Sequence, residues 1–425
     1  MNDLRARARG WRDSIGAAVM VDGYRRWIAV AVVVSFGYLI VQRTIVAPAS
    51  YYDFKVYRAE GMVERHHDDL YQLIPYPRTY ATYPPFAALC FVPFTFVPIV
   101  VGEILSVLVN LGVVFVVCAL SVRFVFGRRD RVWTIRAVLV AAGIAIWTEP
   151  VYTTFGYGQV NLALLAFVLW DLTRPDSHRY KGIGIGVAAG LKVTPGIFVV
   201  YLIVTRRFRA AATAIAAFAV TITVSAIFDA HGTWAYWTRY LFDSSRVGRL
   251  ENAANQTTRG LLTRLLHATE TRPVELVVAA VVLVFGLAIA TASSRRLGEP
   301  WGACACAVTG LLVSPISWSH HWVWCIPIGV LLVSWSRVWA AACIAVFCSF
   351  VIWYVPHKNG VELHFVWWQI LLSAWYVYFG IAFLAATGWR TWHRPASPDG
   401  SDARPALRKL QRLDHALDGA VDRLV

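Results

Sequence analysis

The chain has 425 residues, of which 58% are hydrophobic and 15% charged, with 19 tryptophans; this is too apolar for an ordinary soluble protein of that length. A formal charge of +15 does not point to nucleic acid, because no binding motif for it is present and the arginines cluster at the ends of apolar runs and in both termini. That placement is topological: cytoplasmic loops hold excess Lys and Arg, and anionic headgroups attract them. Cys90, Cys118, Cys304, Cys306, Cys325, Cys343 and Cys348 all fall in or at the edges of apolar segments. They read as small buried hydrophobes, with neither zinc spacing nor a disulfide framework.

A helical crossing needs about 20 mainly apolar residues, and such runs recur along the sequence, so an all-α polytopic membrane protein is expected. A basic cytoplasmic N-terminus (1–26) precedes a first crossing at 27–46, which is too long for a signal-peptide core and reads as a retained anchor. The loop 47–85 is then outside, and its mixture of polar and aromatic residues predicts short helices lying on the interface. Pro93 and Pro98 divide 86–122 into a short piece and a full crossing that returns to Arg123, Arg128, Arg129 and Arg131 inside. Residues 133–149 go out and 157–173 come back to Arg174, Arg179 and Lys181.

Residues 182–204 pose a conflict, since a simple crossing would put Arg206, Arg207 and Arg209 outside. A broken or re-entrant pair hinged at Gly190-Leu191-Lys192-Val193-Thr194-Pro195-Gly196 removes it; non-helical backbone at membrane depth is tolerated where protein or a watery cavity covers it. Residues 210–228 then go out to a second long outer loop, 229–273. Segments 275–294, 301–319, 322–336, 338–356 and 366–388 follow in alternation, with His320 and His321 outside. About ten crossings plus one re-entrant pair result, or 12 helical pieces. The membrane domain spans 27–389, and 390–425 is a cytoplasmic polar tail.

Few residues carry polar chemistry in this setting. Asp53 sits at a bilayer edge, either as a loop carboxylate paired with Lys55 or Arg58, or as a general base taking the proton of an acceptor hydroxyl. Lys192 is the most expensive residue inside an apolar run; it either snorkels or neutralises a phosphate leaving group. Arg259 is a second cation suited to that task. His320 and His321 project about 100° apart on a helix, so one metal does not easily take both. They are a structural pair in an aromatic belt, or they orient a sugar hydroxyl or donor phosphate. Trp318, Trp322 and Tyr83 offer faces to a sugar, and Gln159, Asn161, Asn255 and Gln256 either bind hydroxyls or cap helices.

The segments Thr82-Tyr83-Pro84-Pro85-Phe86-Ala87, Gly156-Tyr157-Gly158-Gln159-Val160-Asn161, Gly190 to Pro195, Asn255-Gln256 and Ser314 to Trp324, together with Asp53 after the first span, occur in that order. In this the chain resembles the actinobacterial membrane mannosyltransferases of glycosyltransferase family 87, which have the GT-C architecture. The resemblance implies a GT-C helical bundle and an alpha-1,2-mannosyltransferase using polyprenyl-phosphate mannose on the outer face of the plasma membrane. It implies Asp53 as catalytic base and places His321 or His320 near the donor. The implied acceptor is a phosphatidylinositol mannoside or lipomannan/lipoarabinomannan, and a related branch transfers arabinofuranose from a decaprenyl carrier.

A β-linked donor and an α-linked product imply one inverting displacement with a single base. The leaving group is a lipid phosphate, so a divalent metal with Asp-x-Asp ligands is unnecessary in principle and no cofactor is expected. The rival class is a transporter or lipid flippase with a translocation site at Lys192. It predicts an inverted repeat and mid-membrane polar groups in both halves, whereas here the polar groups gather at one face.

Overall fold

The computed structural model describes residues 33, 37, 50–74, 79–270, 272–357 and 359–393. The first crossing expected at 27–46 lies outside them except for two isolated positions, as do the basic N-terminus and the tail after 393. After Ser50 the chain enters α1 (Tyr52–His66), whose following segment forms a two-stranded antiparallel hairpin, β1 (Leu73–Ile74) and β2 (Thr79–Tyr80), with Leu73 opposite Tyr80. Pro84 and Pro85 start α2 (Pro85–Phe91), which tightens into a 3-10 turn at Val92–Phe96 before Pro98 launches α3 (Ile99–Phe126). Proline suits these helix starts because its missing N–H is unpaired there anyway.

Next come α4 (Arg131–Ala145), α5 (Glu149–Tyr157) and α6 (Asn161–Leu172). The broken segment is α7 (Ile183–Leu191), a 3-10 turn at Thr194–Gly196 and α8 (Ile197–Val204), with Lys192 extended at the break. The second long loop follows α9 (Phe208–Phe228) and contains α10 (Ala230–Thr238), two 3-10 turns and α11 (Thr258–Leu265). The chain closes with α12 (Arg272–Arg296), α13 (Glu299–Val313), a 3-10 segment Ser319–Trp324, α14 (Cys325–Val333), α15 (Arg337–Cys348), α16 (Trp367–Ser373) and α17 (Trp375–His393).

Among the described residues, α3, α9 and α12 are long and apolar enough to cross a membrane alone; the bent pairs α4–α5 (74°) and α16–α17 (67°) raise the count to 5. The other expected crossings are shorter apolar helices, because Pro, Gly and polar residues interrupt their runs. Only 28, 22 and 17% of the membrane-length windows of α3, α9 and α12 are buried within the molecule, as befits faces turned to lipid. Five cysteines are buried as expected, but Cys90 is exposed and Cys348 half-buried.

Both ends of the broken segment lie on one side. Near its start, Lys181 pairs with Asp176 at 2.8 Å; beyond its end, Arg207 pairs with the same Asp176 at 3.3 Å and with Glu299. Three loops assigned to the inside by their charge therefore meet, which supports the re-entrant path. The path is held by a glycine stripe. A Cβ at Gly182, Gly186 or Gly190 would lie 2.2–2.3 Å from Ala210 O, Ala214 O or Thr221 Oγ1, so α7 lies almost backbone to backbone on α9. That seating carries Lys192, the residue after α7, to the opposite end of that helix from Lys181. There the two long loops interlock: Tyr71 stacks on Tyr236 and Tyr240 at 5.6 and 4.8 Å, and Arg246 donates to Tyr71 O at 2.7 Å.

Candidate active site

Asp53 occupies the first turn of α1. The helix is pinned at its start by Tyr51 N–H donating to Gly156 O at 3.0 Å. Gly158 packs against Phe54, where a Cβ would come within 2.7 Å of the Phe54 Cβ, and its φ of 70° independently favours glycine. The sequence alternative of a local ion pair fails: Lys55 turns to Ser50 O and Glu103, and Arg58 to the carbonyls of Phe94 and Val97. Asp53 is instead approached by the Gln159 side chain and the charge of Lys192. Burial pushes its carboxyl up to about 6, against those two lowering influences.

Lys192 is the centre of the arrangement. Its ammonium donates to His321 Nε2 at 2.8 Å, Asn161 Oδ1 at 3.1 Å and Tyr83 Oη at 3.2 Å, which uses its three protons. The His321 ring then accepts at Nε2 and carries its own proton at Nδ1. From Tyr83 the chain of donors runs on. Tyr83 and Tyr57 share a hydroxyl bond of 2.8 Å, and Tyr57 donates to Gln159 Oε1 at 2.7 Å. Asn161 Nδ2 donates to the same Gln159 oxygen at 3.2 Å and to His320 O at 3.3 Å. With Oε1 thus occupied, the Gln159 amide nitrogen is left for Asp53. Burial raises the pKa of both tyrosines, so they stay hydroxyl donors.

A cavity opens beside this network. Asn161, Ser317 and His321 form its polar end, and Leu165, Val168, Phe198, Leu311 and Trp324 form apolar walls. Such a space suits an apolar chain whose polar head meets Asn161 and His321, the two lining residues that Lys192 bonds. His320 lies edge-on to Tyr157 and to His321, with ring centroids 5.7 and 4.9 Å apart. Its Nε2 is buried without a hydrogen-bond partner among the described residues. Among those residues no three His, Cys, Asp or Glu side chains converge as metal ligands.

The structure thus gathers Asp53, Tyr83, Gln159, Asn161, Lys192, His320 and His321, and separates the other sequence candidates from them. Asn255 and Gln256 are fully buried. Asn255 bonds Leu250 O and Ser317 N, and Gln256 bonds the carbonyls of Ala253 and Ser373 and the amide of Tyr376. Their amides brace main chain and are not turned to a sugar. Arg259 is engaged by Glu275 at 2.7 Å and Ser244 at 3.2 Å. Trp322 is fully buried against Tyr376 and Phe347, so its ring cannot stack on a substrate, and the Trp318 ring packs over Gly248.

Two contributors escaped the sequence reading. Tyr57 lies one turn from Asp53, and that i, i+4 spacing was the available signal. Glu149 is fully buried and accepts from Thr153, Ser319, Trp353 and Tyr376 at 2.7–2.9 Å. It fastens the 3-10 segment that carries His320 and His321, and nothing in the sequence marks its four partners.

The family model described as "Glycosyltransferase family 87" matches residues 81–315, more than half of the chain. The chain belongs to glycosyltransferase family 87. Tyr83, Gln159, Asn161 and Lys192 lie inside the match, Asp53 precedes it and the histidines follow it. A family relative in Mycobacterium tuberculosis, named a polyprenol-phosphate-mannose-dependent alpha-(1-2)-phosphatidylinositol mannoside mannosyltransferase, is 32% identical over 72% of this chain and 76% of its own. A second from that organism, named for the pentamannoside, is 36% identical over 68% of each. Among solved structures, ArnT from Cupriavidus metallidurans bound to undecaprenyl phosphate matches with a TM-score of 0.40 and 16% identity over 91% of this chain and 80% of its own.

Proposed function

We propose that this family 87 protein transfers mannose from polyprenyl-phosphate mannose to a hydroxyl of a mannolipid, a phosphatidylinositol mannoside or lipomannan, in alpha-1,2 linkage. The observation that carries the reading is that a general-base candidate, Asp53, and a cation, Lys192, belong to one polar network whose His321 and Asn161 line an apolar cavity. The names of the relatives support the donor and the linkage.

The acceptor oxygen attacks the anomeric carbon opposite the phosphate and passes its proton to Asp53; the bond to the phosphate oxygen breaks as the new glycosidic bond forms. A β-linked donor gives an α-linked product in this single step. Charge gathering on the departing lipid phosphate is met by the Lys192 ammonium, which three acceptors already aim. The site belongs on the outer face of the plasma membrane, opposite the loops in which Arg207 and Lys181 pair.

The test is transfer of labelled mannose from polyprenyl-phosphate mannose to defined mannolipids by the purified enzyme. Formation of an alpha-1,2-linked product, abolished in Asp53→Asn, is expected. An unimpaired Asp53→Asn enzyme sinks the base assignment, and no transfer to any mannolipid sinks the reaction.

A further inference from the structure

The face of α1 that carries Asp53 continues along the helix, because positions 53, 57, 60 and 64 recur at helical spacing. Glu60 and Glu64 are 1% and 5% exposed. Apart from a weak approach by the Thr82 backbone amide, neither Glu60 oxygen has a hydrogen-bond partner among the described residues, and Oε1 of Glu64 has none.

The titratable groups bearing on Glu60 are Asp53 and Tyr57 on α1, Tyr71 and Tyr83 around the hairpin, and Tyr236 on α10; Glu64 faces Asp229 and Tyr71. None of these is a cation. An ionised Glu60 carboxylate in such a setting has only the Thr82 amide to replace its water. Burial accordingly pushes Glu60 up to about 8 and Glu64 to about 7.

At the same level α1 is in backbone contact with α2. A Cβ on Gly61 would lie 2.7 Å from the Phe91 carbonyl carbon, and the Tyr57 ring stacks on Phe91 at 4.4 Å. Water reaches Glu60 only if the helix lifts. Asp53 sits seven residues back on the same rigid element, about 10 Å along its axis, and moves with it.

We propose that Glu60 is a positioning residue for the transfer reaction: its neutral acid form lets α1 seat on α2 with Asp53 beside Lys192, and its ionisation unseats the helix and withdraws the base. The inference rests on the reading of Asp53 as that base. A carboxyl whose pKa is higher in the docked than in the undocked helix supports docking fully below the ordinary Glu value and loses that support as pH rises through about 8.

The experiment follows transfer by the full-length enzyme from about pH 7 to about pH 9, with hydrogen exchange of the 52–66 segment at the upper end corrected for intrinsic rates. The acid fraction of a group titrating at about 8 falls about tenfold over that interval, so the wild-type rate should fall about tenfold. Glu60→Gln, a neutral isostere, should fall less than wild type, with Glu64 left to titrate, and exchange more slowly in this segment than wild type at about pH 9. Glu60→Asp should restore the alkaline decline. The same decline in Glu60→Gln as in wild type, or equal exchange of the segment in both, overturns the proposal. A wild-type profile flat to about pH 9 overturns it without any variant. If no preparation transfers mannose, the reaction reading fails while the exchange comparison still decides the role of Glu60.

Discussion

Replacing Lys192 with Met keeps most of the side-chain volume and removes the charge. The ammonium is fixed by contacts of 2.8, 3.1 and 3.2 Å to His321, Asn161 and Tyr83, so its charge is already in place when a phosphate arrives, and a direct bond to the phosphate exchanges one of these acceptors for it. A unit charge about 4 Å from such a cation at an effective dielectric of about 20 gains about 4 kcal/mol. Loss of one preorganised donor to a developing anion elsewhere costs about 2.7–4 kcal/mol, or roughly 100- to 1000-fold in kcat. Lys192→Met should fall in that range, with a smaller effect on the KM for the donor.

A second consequence follows from the same charge. Lys192 lowers the pKa of Asp53 from what burial alone would impose, leaving it at about 6, so the acidic limb of the rate profile should move to higher pH in Lys192→Met. Steady-state transfer of labelled mannose, measured across pH with thermal unfolding in detergent as the folding control, checks both. A folded Lys192→Met enzyme within about threefold of wild type, or one whose loss lies wholly in KM, refutes a transition-state role for Lys192.

Asp53→Asn should lower kcat by about 100- to 10,000-fold while leaving donor binding measurable by competition with polyprenyl phosphate; loss of binding alone would argue against a base. In the wild type, the base must be ionised, so kcat should rise with pH through about 6 to a maximum at about pH 7, before the alkaline decline set by Glu60; a profile flat from about pH 4 to pH 7 contradicts this. Glu149→Gln turns an amide toward four donors and should destabilise the fold by about 2–4 kcal/mol, seen as a lower unfolding temperature and faster exchange over 319–324. Asn255→Ala should lower stability without a selective rise in acceptor KM, because its amide is spent on Leu250 and Ser317. A KM effect in a fully stable Asn255→Ala protein would restore Asn255 to sugar binding.

Much of the candidate site was legible because polar residues are costly where this chain puts them. Lys192 stands between Gly190 and Pro195 in an apolar run, and Asp53 follows the first span, so each could be singled out before any contact was known. Asn255, Gln256 and Arg259 carry the same chemistry in the sequence but not in space. Whether a loop amide faces a ligand or its own backbone depends on the path of that loop, and here the path is set by Ser317, Ser373 and Tyr376. Likewise Trp318 and Trp322 look alike in a row of aromatics, yet the 3-10 turn at Ser319–Trp324 sends Trp322 fully into the core.

The sequence by itself determined the membrane character of the chain, the grouping of its basic loops and the break at Lys192. These are properties of local composition, since hydropathy, charge and Gly or Pro act over one helix length. Only the tertiary structure decided that Tyr83, Asn161 and His321 converge on Lys192. They come from four separate segments, and their meeting depends on the packing of α7 on α9 and of α1 on the α5–α6 turn, which no local pattern encodes.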